Sequence, residues 1–119
     1  MGRFETDRLA MIELLKERSM TDERVILAMS RVERHLFVPE PFTGRSYEDS
    51  ALPIGKEQTI SQPYTVAFMT EALQVKAGDK VLEVGTGSGY QAAVLAEMEA
   101  HVFSIERNID LLNGARGRL

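Results

Sequence analysis

The chain has 119 residues, a formal net charge of −4 and no cysteine. Its length fits one small domain, the lack of cysteine excludes disulfides, thiolate zinc sites and a cysteine nucleophile, and the acidic balance argues against nucleic acid as a partner. The charged N-terminus is not typical of a secretory signal and no apolar run is long enough to span a bilayer, so we expect a cytoplasmic chain without membrane or metal partners.

Two helices are predicted near the start of the chain. Apolar residues recur at spacings of three and four in residues 5–18, which is typical of an amphipathic helix. The residues of that pattern are Leu9, Ile12 and either Met11 or Leu15. Thr21 has the side chain of an N-cap and predicts the start of a second helix. The buried stripe of the second helix is expected to be Val25, Met29 and Val32.

Residues 42–63 are predicted to form an irregular connection, because glycines and prolines are spread there among polar residues. A connection of this length in a compact domain is usually functional or disordered. A third helix is expected to begin near Pro63, with Ser61 as its N-cap. Val66, Met69 and Leu73 are expected on one face of this helix.

A strand, a glycine loop, a helix and a second strand are predicted in succession after residue 79. The strands are Lys80–Val84, expected to be buried, and His101–Ile105, with the helix Tyr90–Glu99 between them and a further helix starting at 108–112. This order is typical of an α/β fold with a doubly wound parallel sheet. We therefore divide the chain into an N-terminal helical region, 1–76, and the start of a ligand-binding domain, 77–119.

The glycine loop has the pattern G-x-G-x-G. Gly85 permits a sharp turn after the strand, Gly87 lets a ligand approach the backbone, and Gly89 lets the next helix pack closely. Dinucleotide sites have G-x-G-x-x-G instead, and here Tyr90 follows the third glycine. Glu83 would repel a pyrophosphate, whereas it suits a ligand that carries positive charge.

Glu106 ends the second strand about 20 positions after Gly87, where a carboxylate can accept hydrogen bonds from a ribose diol. A cationic ligand with a ribose and without a pyrophosphate points to S-adenosylmethionine. Two alternatives stay open on these residues: a turn that binds no ligand, and a site for NAD or FAD.

The polar segment 58–64 does not specify a reaction by its chemistry alone. On residue type, Ser61 is first of all a helix cap, and no Ser-His-Asp arrangement accompanies it. His35 and His101 are isolated in the sequence, and we interpret them as surface or strand-edge residues.

Five stretches carry a more specific signal: RHLFVP at 34–39, YED at 47–49, ALPIG at 51–55, QTISQPY at 58–64 and VLEVGTGSGYQ at 81–91. In these stretches the chain resembles the protein-L-isoaspartate O-methyltransferases, above all the bacterial members, over most of residues 20–110. The glycine loop by itself indicates only a methyltransferase, and QTISQPY beside it is much more specific. The resemblance implies a Rossmann-like methyltransferase fold, of which this chain holds the N-terminal helices and the first βαβ part.

The resemblance also implies a reaction. A methyl group passes from S-adenosylmethionine to the free α-carboxylate of an L-isoaspartyl residue in damaged proteins and peptides, leaving S-adenosyl-L-homocysteine; some members act on D-aspartyl residues too. The ester closes to a succinimide that reopens partly to aspartate, which makes the reaction a repair. The implied catalytic residue is Ser61, and the implied cofactor-binding residues are Gln58, Thr59, Ile60, Ser61, Tyr64, Glu83, Gly85, Gly87, Gly89, Glu106 and Arg107.

Such an acceptor requires little chemical activation. A carboxylate is already ionised at neutral pH, so no general base is needed for its attack on a sulfonium methyl group. Catalysis can then consist mostly of alignment and of the exclusion of water. We predict that Ser61 holds one carboxylate oxygen while the other attacks, and that it is not a nucleophile.

The family pattern continues beyond Leu119 through further strands. We expect the chain to be the N-terminal part of a longer protein that holds only part of the pocket, which puts activity of these 119 residues alone in doubt. An exposed sheet edge would favour self-association. Two other functions are considered: an S-adenosylmethionine methyltransferase with another acceptor, and a non-catalytic binding module with the same fold.

Overall fold

Two helices open the chain in the computed structural model, which describes residues 2–119. α1 spans Arg3–Glu17 and α2 spans Glu23–Arg31, as predicted. The buried residues of α1 are Met11, Ile12 and Leu15. Leu9, the first residue of the apolar pattern, is 48% exposed. α2 buries Val25 and Met29 as expected, and it packs against the helices described below.

The N-cap of α2 is Asp22 and not Thr21 as predicted. The Asp22 carboxylate accepts hydrogen bonds from the backbone N–H groups of Arg24 at 3.0 Å and Val25 at 3.4 Å. Thr21 lies one residue too early for its hydroxyl to take this place. A carboxylate at this end also interacts favourably with the positive end of the helix dipole.

The cap gives the first testable prediction. Asp22→Ala is expected to lower the free energy of unfolding by about 1 kcal/mol, because two N–H groups lose their acceptor. Thr21→Ala is expected to change it by less than about 0.5 kcal/mol. Denaturant titration of the two variants measures both values. An equal effect of the two substitutions would contradict the assignment of Asp22 as the N-cap.

A β-hairpin lies in the segment that was predicted to be irregular. After short 3₁₀ turns at Arg34–Phe37 and Thr43–Arg45, strand β1 (Leu52–Gly55) pairs antiparallel with strand β2 (Gln58–Ile60). Leu52 and Ile60 face each other and are buried. The prediction missed the hairpin because strands of four and three residues are too short to show an alternating pattern.

Helix α3 spans Pro63–Leu73 and begins where it was predicted. Its N-cap is Gln62, so the prediction of Ser61 as the cap is wrong by one residue. Of the three apolar residues predicted to share one face, Val66 is buried, whereas Met69 and Leu73 are 57% and 56% exposed. The residues that α3 buries are Pro63, Val66, Ala67 and Thr70.

The C-terminal part has the predicted order of strand, loop, helix and strand. Strand β3 (Lys80–Val84) and strand β4 (His101–Ile105) pair in parallel, in register from Lys80 opposite His101 to Val84 opposite Ile105. Helix α4 (Tyr90–Glu97) connects them, and helix α5 (Ile109–Arg118) follows β4. A parallel pair of strands needs a crossover connection, and α4 is that connection. It packs against β4.

Strand β3 is not buried, contrary to the prediction. Leu82 and Val84 are 66% and 76% exposed, and their partners Phe103 and Ile105 on β4 are exposed beside them. Within residues 2–119 this sheet has two strands. Apolar residues on both faces are typical of strands covered on both faces, which explains why the sequence pattern suggested burial.

One cluster of buried side chains extends from Met11 in α1 to Met98 after α4. The division of the chain at residues 76 and 77 stays a prediction. In the part of the chain that the structure describes, no helix is both long and apolar enough to cross a bilayer.

Candidate active site

A cavity of about 640 Å³ lies between α3 and the unit formed by β3, the glycine loop and α4. This volume is in the range of small-molecule sites. One wall is formed by Thr59, Ile60 and Ser61 at the end of the hairpin. A second wall is apolar and consists of Phe68, Met69, Ala72 and Leu73 on the exposed face of α3. The three residues predicted to share one face of α3, Val66, Met69 and Leu73, thus all line the cavity.

The glycine loop forms the third wall, and its backbone requires glycine. Gly87 has a φ of +55°, and a Cβ there would lie 3.6 Å from Ile54 Cδ1 of the hairpin. Gly89 has a φ of +94°, and a Cβ there would lie 3.3 Å from Ala115 Cβ in α5. A side chain at Gly89 would therefore separate the loop from α5. Gly89 faces α5 and does not line the cavity, whereas Gly85 and Gly87 do.

Glu106 is bonded to the glycine loop. Its Oε1 accepts a hydrogen bond from the Gly87 N–H at 2.8 Å, and its Oε2 accepts one from the Asn108 N–H at 2.9 Å. These backbone hydrogen bonds, of which the one from Asn108 has the larger effect, lower the pKa of Glu106 below its usual value of 4.5. Each carboxylate oxygen keeps a free lone pair, so Glu106 can accept further hydrogen bonds at the edge of the loop.

Glu83 lies on the cavity and has a different environment. Its Oε1 accepts a hydrogen bond from Ser104 Oγ at 2.6 Å, and Ser104 Oγ lies 2.5 Å from Thr86 Oγ1. Burial raises the pKa of Glu83, the Ser104 hydrogen bond opposes this shift, and the charge of Glu106 adds to it. Among residues 2–119 no Lys or Arg forms a salt bridge with Glu83. A half-buried carboxylate without a cation suits a positively charged ligand.

The raised pKa of Glu83 predicts a pH dependence of stability. A carboxyl whose pKa is higher in the folded state binds its proton more tightly there, so its contribution to stability is present below pH 4.5 and is lost as pH rises through the folded-state pKa. Glu83→Gln is therefore expected to unfold at a higher temperature than the unsubstituted protein at pH 7, with a smaller difference below pH 4.5. Thermal unfolding at both pH values measures this, and a variant that is less stable at pH 7 would contradict it.

Ser61 is exposed on the cavity wall. Its backbone carbonyl accepts a hydrogen bond from Arg34 Nη2 at 3.0 Å. Its hydroxyl forms no hydrogen bond with the rest of residues 2–119 and is free to bind a ligand. Gln58, the first residue of β2, is also exposed but does not line the cavity.

Tyr64 lies outside the cavity wall. Its ring lies under Arg18, with the Arg18 Cζ 3.7 Å from the ring centroid. Its backbone N–H donates to Asp49 Oδ1 at 2.9 Å, and Asp49 also pairs with Arg18. This cluster fixes the start of α3 directly after the Ser61 segment.

The structure brings six of the predicted site residues to one cavity and places the other five beside it. Those on the lining are Thr59, Ile60, Ser61, Glu83, Gly85 and Gly87. Those outside it are Gln58, Tyr64, Gly89, Glu106 and Arg107, of which Glu106 bonds to the loop and Arg107 is exposed.

Sequence reasoning missed Gln91 and Arg34. The Gln91 side chain lies on the cavity and donates to Thr70 Oγ1 at 2.9 Å, which connects α4 with α3. A polar residue in the otherwise apolar segment after Tyr90 is the signal that could have indicated it. Arg34 stands in the RHLFVP stretch and is completely buried.

The two histidines differ from each other. His35 was expected at the surface or at a strand edge, and this prediction is wrong. Its ring stacks on Phe4 at 4.1 Å and its Nδ1 lies 2.9 Å from the Tyr47 hydroxyl. His101 is exposed at the start of β4, as expected. In the described part of the chain, no three His, Cys, Asp or Glu side chains converge in a group that could hold a metal ion.

The model of one protein family matches nearly the whole chain. It is described as protein-L-isoaspartate(D-aspartate) O-methyltransferase and matches residues 6–119. The chain belongs to this family. The protein-L-isoaspartate O-methyltransferase of Syntrophus aciditrophicus is 54% identical over 98% of this chain, and that of Dictyoglomus thermophilum is 48% identical over 98%. The chain spans 54% and 53% of those proteins, about half the length of the curated relatives it matches.

Solved structures of the family have the same fold. One protein-L-isoaspartate O-methyltransferase matches with a TM-score of 0.83 and 28% identity over 93% of this chain and 37% of its own. Another, from Plasmodium falciparum and in complex with S-adenosyl-L-homocysteine, matches with a TM-score of 0.81 and 27% identity over 99% of this chain and 55% of its own. The predicted family and the predicted α/β methyltransferase fold are thus confirmed.

Proposed function

We propose that the protein transfers a methyl group from S-adenosylmethionine to the α-carboxylate of L-isoaspartyl residues in damaged proteins and peptides. The observation that carries this proposal is the arrangement of one cavity. Ser61, with a free hydroxyl, lies on one wall, and the glycine loop lies on another beside Glu83 of β3, whose carboxylate has no cationic partner among the described residues. An anionic acceptor and a cationic donor can therefore meet in the same space.

The residues of the cavity fit S-adenosylmethionine better than a dinucleotide. Glu83 offers a negative charge that no Lys or Arg of residues 2–119 neutralises. Gly85 and Gly87 leave the backbone open to a ligand, and Glu106 keeps free lone pairs for a ribose diol. Bound S-adenosylmethionine supplies a methyl group on a positively charged sulfur. We propose Glu83 as the partner of its positive charge.

The other predicted cofactor residues have supporting parts in this proposal. Thr59 and Ile60 form the wall beside Ser61. Tyr64 supports that wall from behind through its bond to Asp49, and Gly89 lets α5 pack behind the loop. Gln58 and Arg107 are exposed and are proposed as outer contacts.

The acceptor is activated by position and by its surroundings. The isoaspartyl carboxylate is ionised at neutral pH and attacks without a general base. The Ser61 hydroxyl donates a hydrogen bond to one carboxylate oxygen and leaves the other free to form the new C–O bond. Charge is neutralised in this step, so the apolar wall formed by Phe68 and Met69 favours it by excluding water.

The proposed partners are isoaspartyl proteins and peptides. We place the protein in the cytoplasm, since a chain without cysteine needs no disulfide and is compatible with reducing conditions. The exposed apolar sheet face of the 119 residues, formed by Leu82, Val84, Phe103 and Ile105, supports self-association of this segment when it is studied alone.

Methyl transfer to matched peptides tests the proposal. The full-length protein is incubated with methyl-labelled S-adenosylmethionine and an isoaspartyl peptide, with the aspartyl peptide of the same sequence as control. Base-labile methyl ester is expected on the isoaspartyl peptide alone. Binding of S-adenosylmethionine without label on either peptide would support a methyltransferase for another acceptor, and failure to bind it would support a non-catalytic module.

A further inference from the structure

Arg34 is a completely buried cation in the first 3₁₀ turn, with 0% of its surface exposed. Its Nε donates to the Ser46 carbonyl at 2.6 Å, and its Nη2 donates to the Ser61 carbonyl at 3.0 Å. Its guanidinium lies over the ring of Tyr90, with Cζ 4.7 Å from the centroid. Arg34 therefore contacts the serine wall of the cavity and the first residue of α4.

Burial of this charge is costly. No carboxylate forms a salt bridge with Arg34 within residues 2–119, and its Nη1 is buried there without an acceptor. Burial lowers the pKa of Arg34 and raises the pKa of Tyr90 to about 12, so the phenol stays neutral beside it. An apolar residue would fill this volume without such a penalty. The arginine must therefore supply something that depends on its planar, forked set of donors.

What the arginine supplies is a fixed relation between two cavity walls. Ser61 and Tyr90 both line the cavity, and Tyr90 directly follows the glycine loop. We propose that Arg34 is a positioning residue for methyl transfer: it holds the Ser61 main chain at a set distance from the glycine loop. The inference rests on the proposed function of the cavity. Alignment of this kind is sensitive, since a displacement of about 1 Å at a reacting group costs about 100-fold in rate.

Arg24 in α2 provides a matched control. Its guanidinium also donates to two backbone carbonyls, those of Val75 and Met98, the second at 3.1 Å. Neither of these residues lines the cavity. Arg34→Lys and Arg24→Lys therefore both remove a forked pair of hydrogen bonds and keep the charge. They differ in whether the bonded segment carries Ser61 and in burial, since Arg24 is exposed and Arg34 is buried, so the loss of thermal stability is compared alongside kcat/KM.

The experiment compares the two variants in the full-length protein. Arg34→Lys is expected to lower kcat/KM for the isoaspartyl peptide at least about 10-fold, with the Kd for S-adenosyl-L-homocysteine within about 2-fold of the unsubstituted value, because the glycine loop keeps its own bonds. Hydrogen exchange of residues 58–62 is expected to accelerate in this variant alone. Arg24→Lys is expected to leave kcat/KM and that exchange unchanged.

Three results would overturn the inference. The first is an equal loss of kcat/KM in the two variants at equal loss of thermal stability, and the second is unchanged exchange of residues 58–62 in Arg34→Lys. The third is an Arg34→Lys protein that does not fold while Arg24→Lys does. This result would show that Arg34 stabilises the core and is not a positioning residue for methyl transfer. Lack of methyl transfer by the unsubstituted protein would instead refute the proposed function, and the exchange measurement would still decide whether Arg34 holds the Ser61 segment.

Discussion

Ser61→Ala is expected to lower kcat/KM for the isoaspartyl peptide by about 10- to 100-fold. The substitution removes one hydrogen bond from a hydroxyl to a carboxylate, and a hydrogen bond to a charged group contributes about 1.5–3 kcal/mol. The Kd for S-adenosyl-L-homocysteine is expected to stay the same, because the proposed partner of the serine hydroxyl is the acceptor carboxylate and the glycine loop keeps its own bonds. Steady-state kinetics and calorimetry on the full-length protein measure the two quantities.

Ser30→Ala is the control for this experiment. Its hydroxyl is exposed on α2 and donates to the Leu27 carbonyl within the helix, so kcat/KM is expected to be unchanged. Equal activity of Ser61→Ala and the unsubstituted protein would contradict the proposed role. A covalent adduct trapped on Ser61 during turnover would show that the serine acts as a nucleophile.

Glu106→Gln is expected to raise the Kd for S-adenosyl-L-homocysteine by about 10- to 100-fold, because an amide group would replace one acceptor oxygen of a charged group. In the folded protein the carboxylate accepts the N–H groups of Gly87 and Asn108. An amide NH₂ would face one of these donors, so the loop would lose a bond as well as a ribose acceptor. Calorimetric titration measures the change in Kd.

Two further observations sharpen this prediction. Asp110→Asn is the control, because Asp110 is an exposed acid in α5 whose ion pair is with Lys56, and no change in Kd is expected.

Since the pKa of Glu106 is lowered in the folded protein, its contribution to stability is present above pH 4.5 and is lost as pH falls through the folded-state pKa. Glu106→Gln is therefore expected to unfold at a lower temperature than the unsubstituted protein at pH 7, and the difference in unfolding temperature is expected to be smaller in acid. An unchanged Kd in Glu106→Gln would remove Glu106 from the proposed site.

The parallel βαβ unit could be predicted from the sequence because its signals are local. An apolar run ends at Gly85, three alternate glycines follow, and an apolar helix and a second apolar run come next. Each of these patterns depends on neighbours in the chain, and the ends of β3 and β4 agree with the prediction at every residue. The bond between Gly87 and Glu106 follows from the same unit, since the two strands are in parallel register.

Features that depend on distant contacts could not be predicted in this way. The hairpin is fixed by a turn in which Gly55, Lys56 and Glu57 all have positive φ, which the types of the last two residues do not signal. The spacing of Val66, Met69 and Leu73 indicates that they share one face of α3, but the spacing does not show that this face lies on a cavity, which depends on the elements packed opposite it. Burial of Arg34 depends on carbonyls 12 and 27 residues away in the chain.

The central claim is that the cavity between the Ser61 wall and the glycine loop binds S-adenosylmethionine. Calorimetric titration of the full-length protein with S-adenosyl-L-homocysteine and, separately, with NAD tests this most directly. We predict saturable binding of S-adenosyl-L-homocysteine, weakened in Glu106→Gln, and no binding of NAD. Binding of NAD in preference, or binding of S-adenosyl-L-homocysteine that Glu106→Gln leaves unchanged, would contradict the account.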